Sequence, residues 1–122
     1  MAKVSQLIGR AFFGKSNCLK AYLNSNKEFF LEFGKKENDS WTWKKVKMND
    51  VELGDIVNVL EGKKESTSFY HDFKGEKTQI WVNRKEGFII KVPETAKGLN
   101  EGEETVLREL LKYSIMRMNL KL

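Results

Sequence analysis

KAYLNSNKEFFLEF at residues 20–33 and QIWVNRKEGFIIKV at residues 79–92 are two copies of one pattern. They align without a gap at an offset of 59 residues, so that Asn24 meets Asn83 and Phe29 meets Phe88. In each copy, aromatic and β-branched residues flank a short polar turn, which is the pattern of a β-hairpin. The sequence therefore predicts two equivalent hairpins within one chain.

Each hairpin is followed by a helical pattern that begins with an asparagine and an acidic residue. Asn49 and Asn100 are the predicted N-caps. After Asn49, apolar residues recur at helical spacing and Gly62 is a predicted stop. After Asn100, a leucine stripe predicts a helix that runs to about Asn119. Both units therefore end in an amphipathic helix.

Further strand patterns complete the two units. They cover residues 7–13 and 40–48 in the first unit and residues 68–73 in the second, whereas residues 93–98 are a short match to 40–48. The order is about ββββα followed by βββ(β)α. This order predicts an α+β fold of two tandem antiparallel sheet-plus-helix units, with helices covering one face of each sheet. We expect one pseudo-two-fold domain over residues 1–122, built of repeats at about 1–62 and 63–122.

Composition excludes several classes of protein. A chain of 122 residues with 40% hydrophobic residues and one proline is expected to fold, and no apolar run approaches the roughly 20 residues of a membrane span. A single cysteine and a single histidine cannot make an internal disulfide or a four-ligand zinc site, so no cofactor is expected. The N-terminus lacks the apolar segment of a signal peptide, which predicts a cytoplasmic or nucleoid-associated protein, or a nuclear or organellar one in a eukaryote.

Positive charge is concentrated in two blocks. Residues 1–48 contain 10 Lys/Arg and 4 Asp/Glu, residues 63–98 contain 8 and 5, and residues 49–62 between them contain 4 acids and no base. Clustered cations are typical of a polyanion-binding surface. A lysine-rich surface that only interacts with solvent is the alternative.

The strand at residues 40–48 combines aromatic and basic side chains. Because side chains alternate along a strand, one face receives Trp41, Trp43, Lys45 and Lys47. Val46 and Met48 belong to the other face, which we expect to be core. A protein binds single-stranded nucleic acid through rings that stack on the bases and cations that follow the backbone. Packing against a neighbouring strand is the alternative for each tryptophan, and a shift of register by one residue would bury both.

The hairpins repeat this combination at lower density. Lys20 and Tyr22 share one face of their strand, and Trp81 occupies the position equivalent to Tyr22, with Arg84 and Lys85 predicted in the adjoining turn. The alternation in residues 28–33 predicts instead that Phe29, Leu31 and Phe33 point into the core.

No set of residues predicts catalysis. His71 beside Asp72 has no nucleophile or second acid at a suggestive spacing, and the glycines form no phosphate-binding loop. A non-enzymatic protein is therefore expected.

Residues 46–60 (VKMNDVELGDIVNVL) and 98–111 (GLNEGEETVLRELL) resemble the sheet-to-helix junction of the positive-cofactor-four transcriptional coactivator family. Two such units in one chain are similar to the Whirly arrangement. The resemblance implies binding of single-stranded DNA, and sometimes RNA, on exposed antiparallel sheets, with helices that pack the units together and help to form oligomers. It also implies that strand aromatic and basic residues contact the nucleic acid, here Trp41, Trp43, Lys45, Lys47, Lys20, Tyr22, Trp81, Arg84 and Lys85.

The leading hypothesis is thus a largely sequence-independent single-stranded DNA-binding protein that acts in replication, recombination, repair or transcription. An RNA-binding protein of the same fold is one alternative. A protein-interaction subunit or transcription coactivator that docks through its C-terminal helix is another. We expect a homo-oligomer, with Leu111, Ile115 and Met118 at the oligomer interface.

Overall fold

Eight strands and two helices follow one another in the computed structural model, which describes residues 3–120. The elements are β1 (Gln6–Phe13), β2 (Asn17–Asn24), β3 (Phe29–Glu37), β4 (Ser40–Met48), α1 (Asp50–Leu60), β5 (Ser66–Phe73), β6 (Glu76–Arg84), β7 (Phe88–Val92), β8 (Thr95–Leu99) and α2 (Glu101–Asn119). The first sheet has the order β1-β2-β3-β4 and the second sheet the order β5-β6-β7-β8. All neighbouring strands are antiparallel. The predicted α+β fold of two tandem units is confirmed.

Both predicted hairpins are present. Leu23 lies opposite Phe29 in the first, and Arg84 lies opposite Phe88 in the second. The Asn24 side chain organises the first turn, because its Oδ1 accepts hydrogen bonds from the backbone N–H groups of Asn26 and Glu28, both at 2.9 Å. The short stretch that matched the β4 pattern also forms a strand, β8, so each unit has four strands.

The two helices begin at the predicted caps. The Asn49 side chain accepts from the Glu52 N–H at 2.8 Å, and the Glu52 carboxylate accepts from the Asn49 N–H at 3.0 Å. Asn100 and Glu103 form the same capping box at the start of α2. Each box satisfies two backbone donors that a helix start leaves unpaired. Past the end of α1, Gly62 adopts a positive φ of 76°, which a glycine tolerates without strain.

The core lies between the two helices and the covered faces of the two sheets. Phe29, Leu31 and Phe33 are at most 1% exposed, as predicted. One cluster of buried side chains draws on both units and includes Ile56 of α1 and Phe88 of β7. The helices also pack against each other. We propose on this basis that the chain folds as one domain of two repeats; the first two and last two residues of the predicted span lie outside the described part.

The apolar stripe predicted for oligomerisation faces the chain's own core. Leu111 is 0% exposed, and Ile115 and Met118 are partly buried against the same cluster. Leu111 is therefore a core residue and is not accessible to a second copy, whereas an oligomer contact through Ile115 and Met118 stays a prediction. The leucine periodicity that reveals α2 marks the face the helix buries within its own chain.

Neither helix of residues 3–120 has the combination of length and apolar character needed to cross a lipid bilayer.

Candidate nucleic-acid interface

β4 turns its two tryptophans away from the helices. Val46 and Met48 are 5% and 1% exposed beneath the helical layer, whereas Trp43 on the opposite face is 38% exposed. Trp43 pairs with Gly34 across the sheet, and Lys45 pairs with Glu32. The predicted register is thus the one formed, and the one-residue shift does not occur. We call this exposed side of the first sheet, which carries Lys20, Tyr22, Phe30, Glu32, Trp41, Trp43, Lys45 and Lys47, its open face.

Aromatic rings form a row at one end of the open face. Trp41 and Trp43 are stacked, with ring centroids 5.5 Å apart and planes at 20°. Phe13 of β1 packs edge-on against Trp41, with centroids 6.0 Å apart. Phe13 is 60% exposed, so the row is open to solvent. Sequence analysis did not single out Phe13, although its alternation with the buried Phe12 was a usable signal.

Lysine ammonium groups lie over the rings of this face. The Lys20 Nζ lies 4.1 Å from the centroid of the Trp43 ring, and the Lys45 Nζ lies 4.3 Å from that of Phe30. Both distances are those of cation–π contacts. Three strands contribute these side chains, so residues far apart in sequence form one surface of alternating rings and positive charges.

An acidic residue lies at the centre of the open face. Glu32 is paired in register with both Lys20 and Lys45, and its carboxylate accepts a hydrogen bond from the Tyr22 hydroxyl. Burial, followed by this contact with Glu32, raises the pKa of Tyr22 well above its ordinary value. The phenol therefore remains a neutral donor. The sequence pattern did not predict a role for Glu32, because the clear signal in this strand came from the neighbouring positions, whose side chains face the core.

Lys47 lies beside this cluster and forms an ion pair with Glu28 at 3.1 Å. Hydrogen bonds from Asn24 and then from Lys47 lower the pKa of the Glu28 carboxyl. The Lys47 side chain is 62% exposed. Exposed pairs of this kind add little stability, so Lys47 can exchange its carboxylate partner for a phosphate at little cost.

The second sheet has a smaller open face. Trp81 is 36% exposed there, at the position equivalent to Tyr22, and the Lys91 Nζ lies 5.3 Å from its ring centroid. Tyr70 lies on the same side and is 59% exposed, and Lys85 is exposed in the neighbouring turn. The two sheets therefore present related surfaces of unequal aromatic content.

Arg84 is not part of either open face. It is the last residue of β6 and points towards the helices, where its Nε and Nη2 donate to the carbonyls of Val59 and Leu60 at 3.0 Å each. Its guanidinium also pairs with Glu104 of α2. Because α1 has no basic residue in its last turn, Arg84 supplies the donors for the carbonyl end of that helix. The predicted placement of Arg84 in a turn beside the binding face is wrong.

A groove of about 810 Å³ lies between β4 and β5, which are edge strands of the two sheets. His71 of β5 is joined to Glu52 of α1 there, with Nε2 and Oε2 2.7 Å apart. Sequence reasoning left His71 without a partner, because the contact depends on how the two units pack together.

Comparisons with known proteins give a sequence relative and a structural neighbour. No family model matches the chain. A nucleotide-binding protein of Campylobacter fetus subsp. fetus is 34% identical over 65 residues, which cover 53% of this chain and 39% of that protein. The chain thus spans about two fifths of the relative's length. The solved structure of Trypanosoma brucei MRP1/MRP2 superposes with a TM-score of 0.66 at 13% identity, covering 90% of this chain and 83% of that one. At this identity, the superposition shows a shared fold.

Proposed function

We propose that this protein is a non-enzymatic single-stranded DNA-binding protein, largely independent of sequence, that binds on the open face of the first sheet. One observation carries the proposal: the Lys20 ammonium lies 4.1 Å from the Trp43 ring, which is itself stacked on Trp41. Exposed rings stack on unpaired bases, and neighbouring cations track the phosphates. Duplex DNA hides its base faces, so this surface favours a single strand.

The exposure of the rings supports a binding role over a packing role. Trp43 is 38% exposed and Phe13 is 60% exposed, while the core is filled by other side chains. A contiguous exposed apolar patch on a folded chain is typical of an interaction site. Each stacked base is worth about 1–3 kcal/mol, so two or three rings suffice for useful affinity once phosphate contacts are added.

The comparisons support the same class of ligand. The Campylobacter relative is a nucleotide-binding protein, and the tandem sheet-plus-helix fold supports the resemblance to the positive-cofactor-four and Whirly proteins. A role in replication, recombination, repair or transcription is part of this proposal.

Competition binding tests the proposal. We expect a fluorescently labelled oligo-dT to bind at low salt, unlabelled oligo-dT to displace it, and a duplex of the same length to displace it poorly. A matched oligo-U is the arm that separates DNA from RNA. Stronger displacement by oligo-U would assign the surface to RNA, and equal displacement by the duplex would show that the rings do not stack on bases.

We also propose that the protein self-associates through the outer face of α2. The side chains of Val106, Tyr113 and Met116 are 38–58% exposed and recur along one side of that helix. In an antiparallel pair of helices centred on Tyr113, Glu109 meets Arg117 of the second copy, so the charges match. Two linked copies would bind one strand with added avidity.

Mass in solution tests this surface. Met116→Glu should convert an oligomer into a single chain, whereas Val51→Glu, at a residue 70% exposed on α1, should leave the mass unchanged. If the wild type has the mass of one chain at micromolar concentration, the proposed self-association through α2 is contradicted.

A further inference from the structure

The groove between β4 and β5 reaches the open faces of both sheets. Lys45 and Lys47 enter it from the open face of the first sheet, and Tyr70 enters it from the open face of the second. Val46 and His71, from the covered faces, also line it. Because both sides of each strand contribute, the groove follows the two strand edges and joins one open face to the other.

Aromatic side chains that do not belong to the core line this groove. Phe73 is 71% exposed, the highest value for a large apolar side chain among the described residues, and Tyr70 is 59% exposed. Phe30 lies at the opposite side of the groove, beneath the Lys45 ammonium. Aromatic walls suit a flat ring, the charged side chains around them suit its phosphate, and about 810 Å³ falls in the usual range for a small ligand.

The charges around the groove restrict where a phosphate can lie. Three acids within it already have a basic side chain as partner: Glu28 pairs with Lys47, Glu76 with Lys44, and Glu52 with His71. Lys45 instead lies over an aromatic ring at the rim. Asp72 and Glu76 place negative charge on the β5 side of the groove, so the rim on the β4 side, with Lys45 and Lys47, is the part suited to a phosphate.

We propose that the groove holds one unstacked nucleotide of the bound strand, with its base against Tyr70 and its phosphate at Lys45 and Lys47. The strand then passes from the tryptophan row of the first sheet to Trp81 on the second. This inference rests on the proposed function and adds residues of β5 to the site. The shared chemistry is a base with its phosphate, so a free nucleotide is a second source that the test must separate.

Two oligomer lengths and one residue test the groove. Oligo-dT of about 16 nucleotides is long enough to cross both sheets, whereas one of about 4 nucleotides occupies only the tryptophan row. Tyr70→Ala should weaken binding of the longer oligomer by about 5- to 100-fold, the loss of one stacking platform, and leave the shorter one unchanged. Tyr70→Phe, which keeps the ring, is the matched control and should bind both as the wild type does.

A fluorescent base distinguishes binding of the strand from binding of a free nucleotide. 2-Aminopurine placed at successive positions of the longer oligomer should be quenched by the wild type at a position in the groove and recover in Tyr70→Ala. The free 2-aminopurine nucleotide at the same concentration should stay unquenched. Quenching of the free nucleotide, without displacement by the oligomer, would assign the groove to free nucleotides and overturn the proposal.

The experiment distinguishes a failure of the groove assignment from a failure of the proposed function. If wild type binds both oligomers and Tyr70→Ala binds the longer one equally well, the groove does not hold the strand and the open face stands. If wild type binds neither oligomer, the proposed function fails and takes the groove assignment with it. Thermal unfolding of each variant shows that the fold is retained, since Tyr70 is mostly exposed.

Discussion

The indole ring of Trp43 occupies the space directly above Gly34. A Cβ added at Gly34 would lie 2.6 Å from Trp43 Cζ3 and 2.7 Å from Cη2, closer than real atoms approach. The absence of a side chain at this position of β3 lets the ring lie across the sheet, where Trp41 stacks on it. The residue that shapes the tryptophan row is thus a glycine on the neighbouring strand.

Gly34→Val should weaken DNA binding while leaving the fold intact. The new side chain displaces the Trp43 ring into solvent, so we expect a loss of about 1–3 kcal/mol in oligo-dT binding, the value of one stacking platform. Gly54→Ala is the matched control, because a Cβ there meets nothing within 4 Å. It should leave binding unchanged and raise helix stability by about 1 kcal/mol. Equal oligo-dT affinity of Gly34→Val and wild type would contradict this role.

Lys20→Ala and Lys45→Ala should each flatten the salt dependence of binding. A lost phosphate contact lowers the slope of log affinity against log salt by about 0.7 for a single strand. Lys63→Ala removes an equally positive side chain, 69% exposed outside the open face, and should keep the wild-type slope. Titrations at four or five salt concentrations measure this. Identical slopes for all three variants would show that the open-face lysines do not contact phosphate.

Glu32→Gln should tighten binding at low salt. It removes a negative charge between Lys20 and Lys45, and a unit charge near a phosphate costs about 1 kcal/mol in water, or about fivefold in affinity. Glu32→Ala would also lose the hydrogen bond to Tyr22, so the isosteric change is the sharper test. Unchanged binding by Glu32→Gln would contradict this electrostatic effect, and weaker binding would instead make the carboxylate a group that contacts the bases.

The same substitution should lower the pKa of Tyr22, because contact with Glu32 is one cause of its elevation. A raised phenol pKa adds stability that is present below the unfolded value of about 10 and is lost as pH rises above it. The wild type should therefore lose unfolding free energy above about pH 10 more steeply than Glu32→Gln. Absorbance of tyrosinate against pH, with parallel unfolding curves, measures both effects.

Arg84→Ala should destabilise the fold without weakening binding. It leaves the carbonyls of Val59 and Leu60 and the Glu104 carboxylate without their donor, at a cost of about 2–3 kcal/mol. Lys85→Ala, at the next residue, is exposed and should not change stability. Denaturant unfolding and oligo-dT titration separate the two roles. Weakened binding by a fully folded Arg84→Ala would return Arg84 to the interface.

The sequence was most informative where a pattern is local. The alignment of residues 20–33 with residues 79–92 predicted both hairpins, and Asn49 and Asn100 predicted both helix starts, because turns and caps depend on neighbours in the chain. The exposed side of β4 was predictable for the same reason, since Val46 and Met48 identify the buried side.

The remaining features depend on contacts between distant segments. Arg84 belongs to the helices because the carbonyl end of α1 lies above β6, which no local pattern reports. Leu111 lies in the core because α1 covers its side of α2. Tyr70 and Phe73 belong to the groove only because the edges of two separate sheets face each other there.

Titration of intrinsic tryptophan fluorescence with oligo-dT tests the central claim most directly, because Trp41 and Trp43 are themselves the proposed stacking platforms. We predict quenching that saturates at low salt, weakens as salt is raised and survives an excess of matched duplex. Trp41→Ala or Trp43→Ala should cost about 1–3 kcal/mol of affinity each and reduce the quenching amplitude, with little loss of fold. No change in fluorescence at low salt, where electrostatic binding is strongest, would contradict the account.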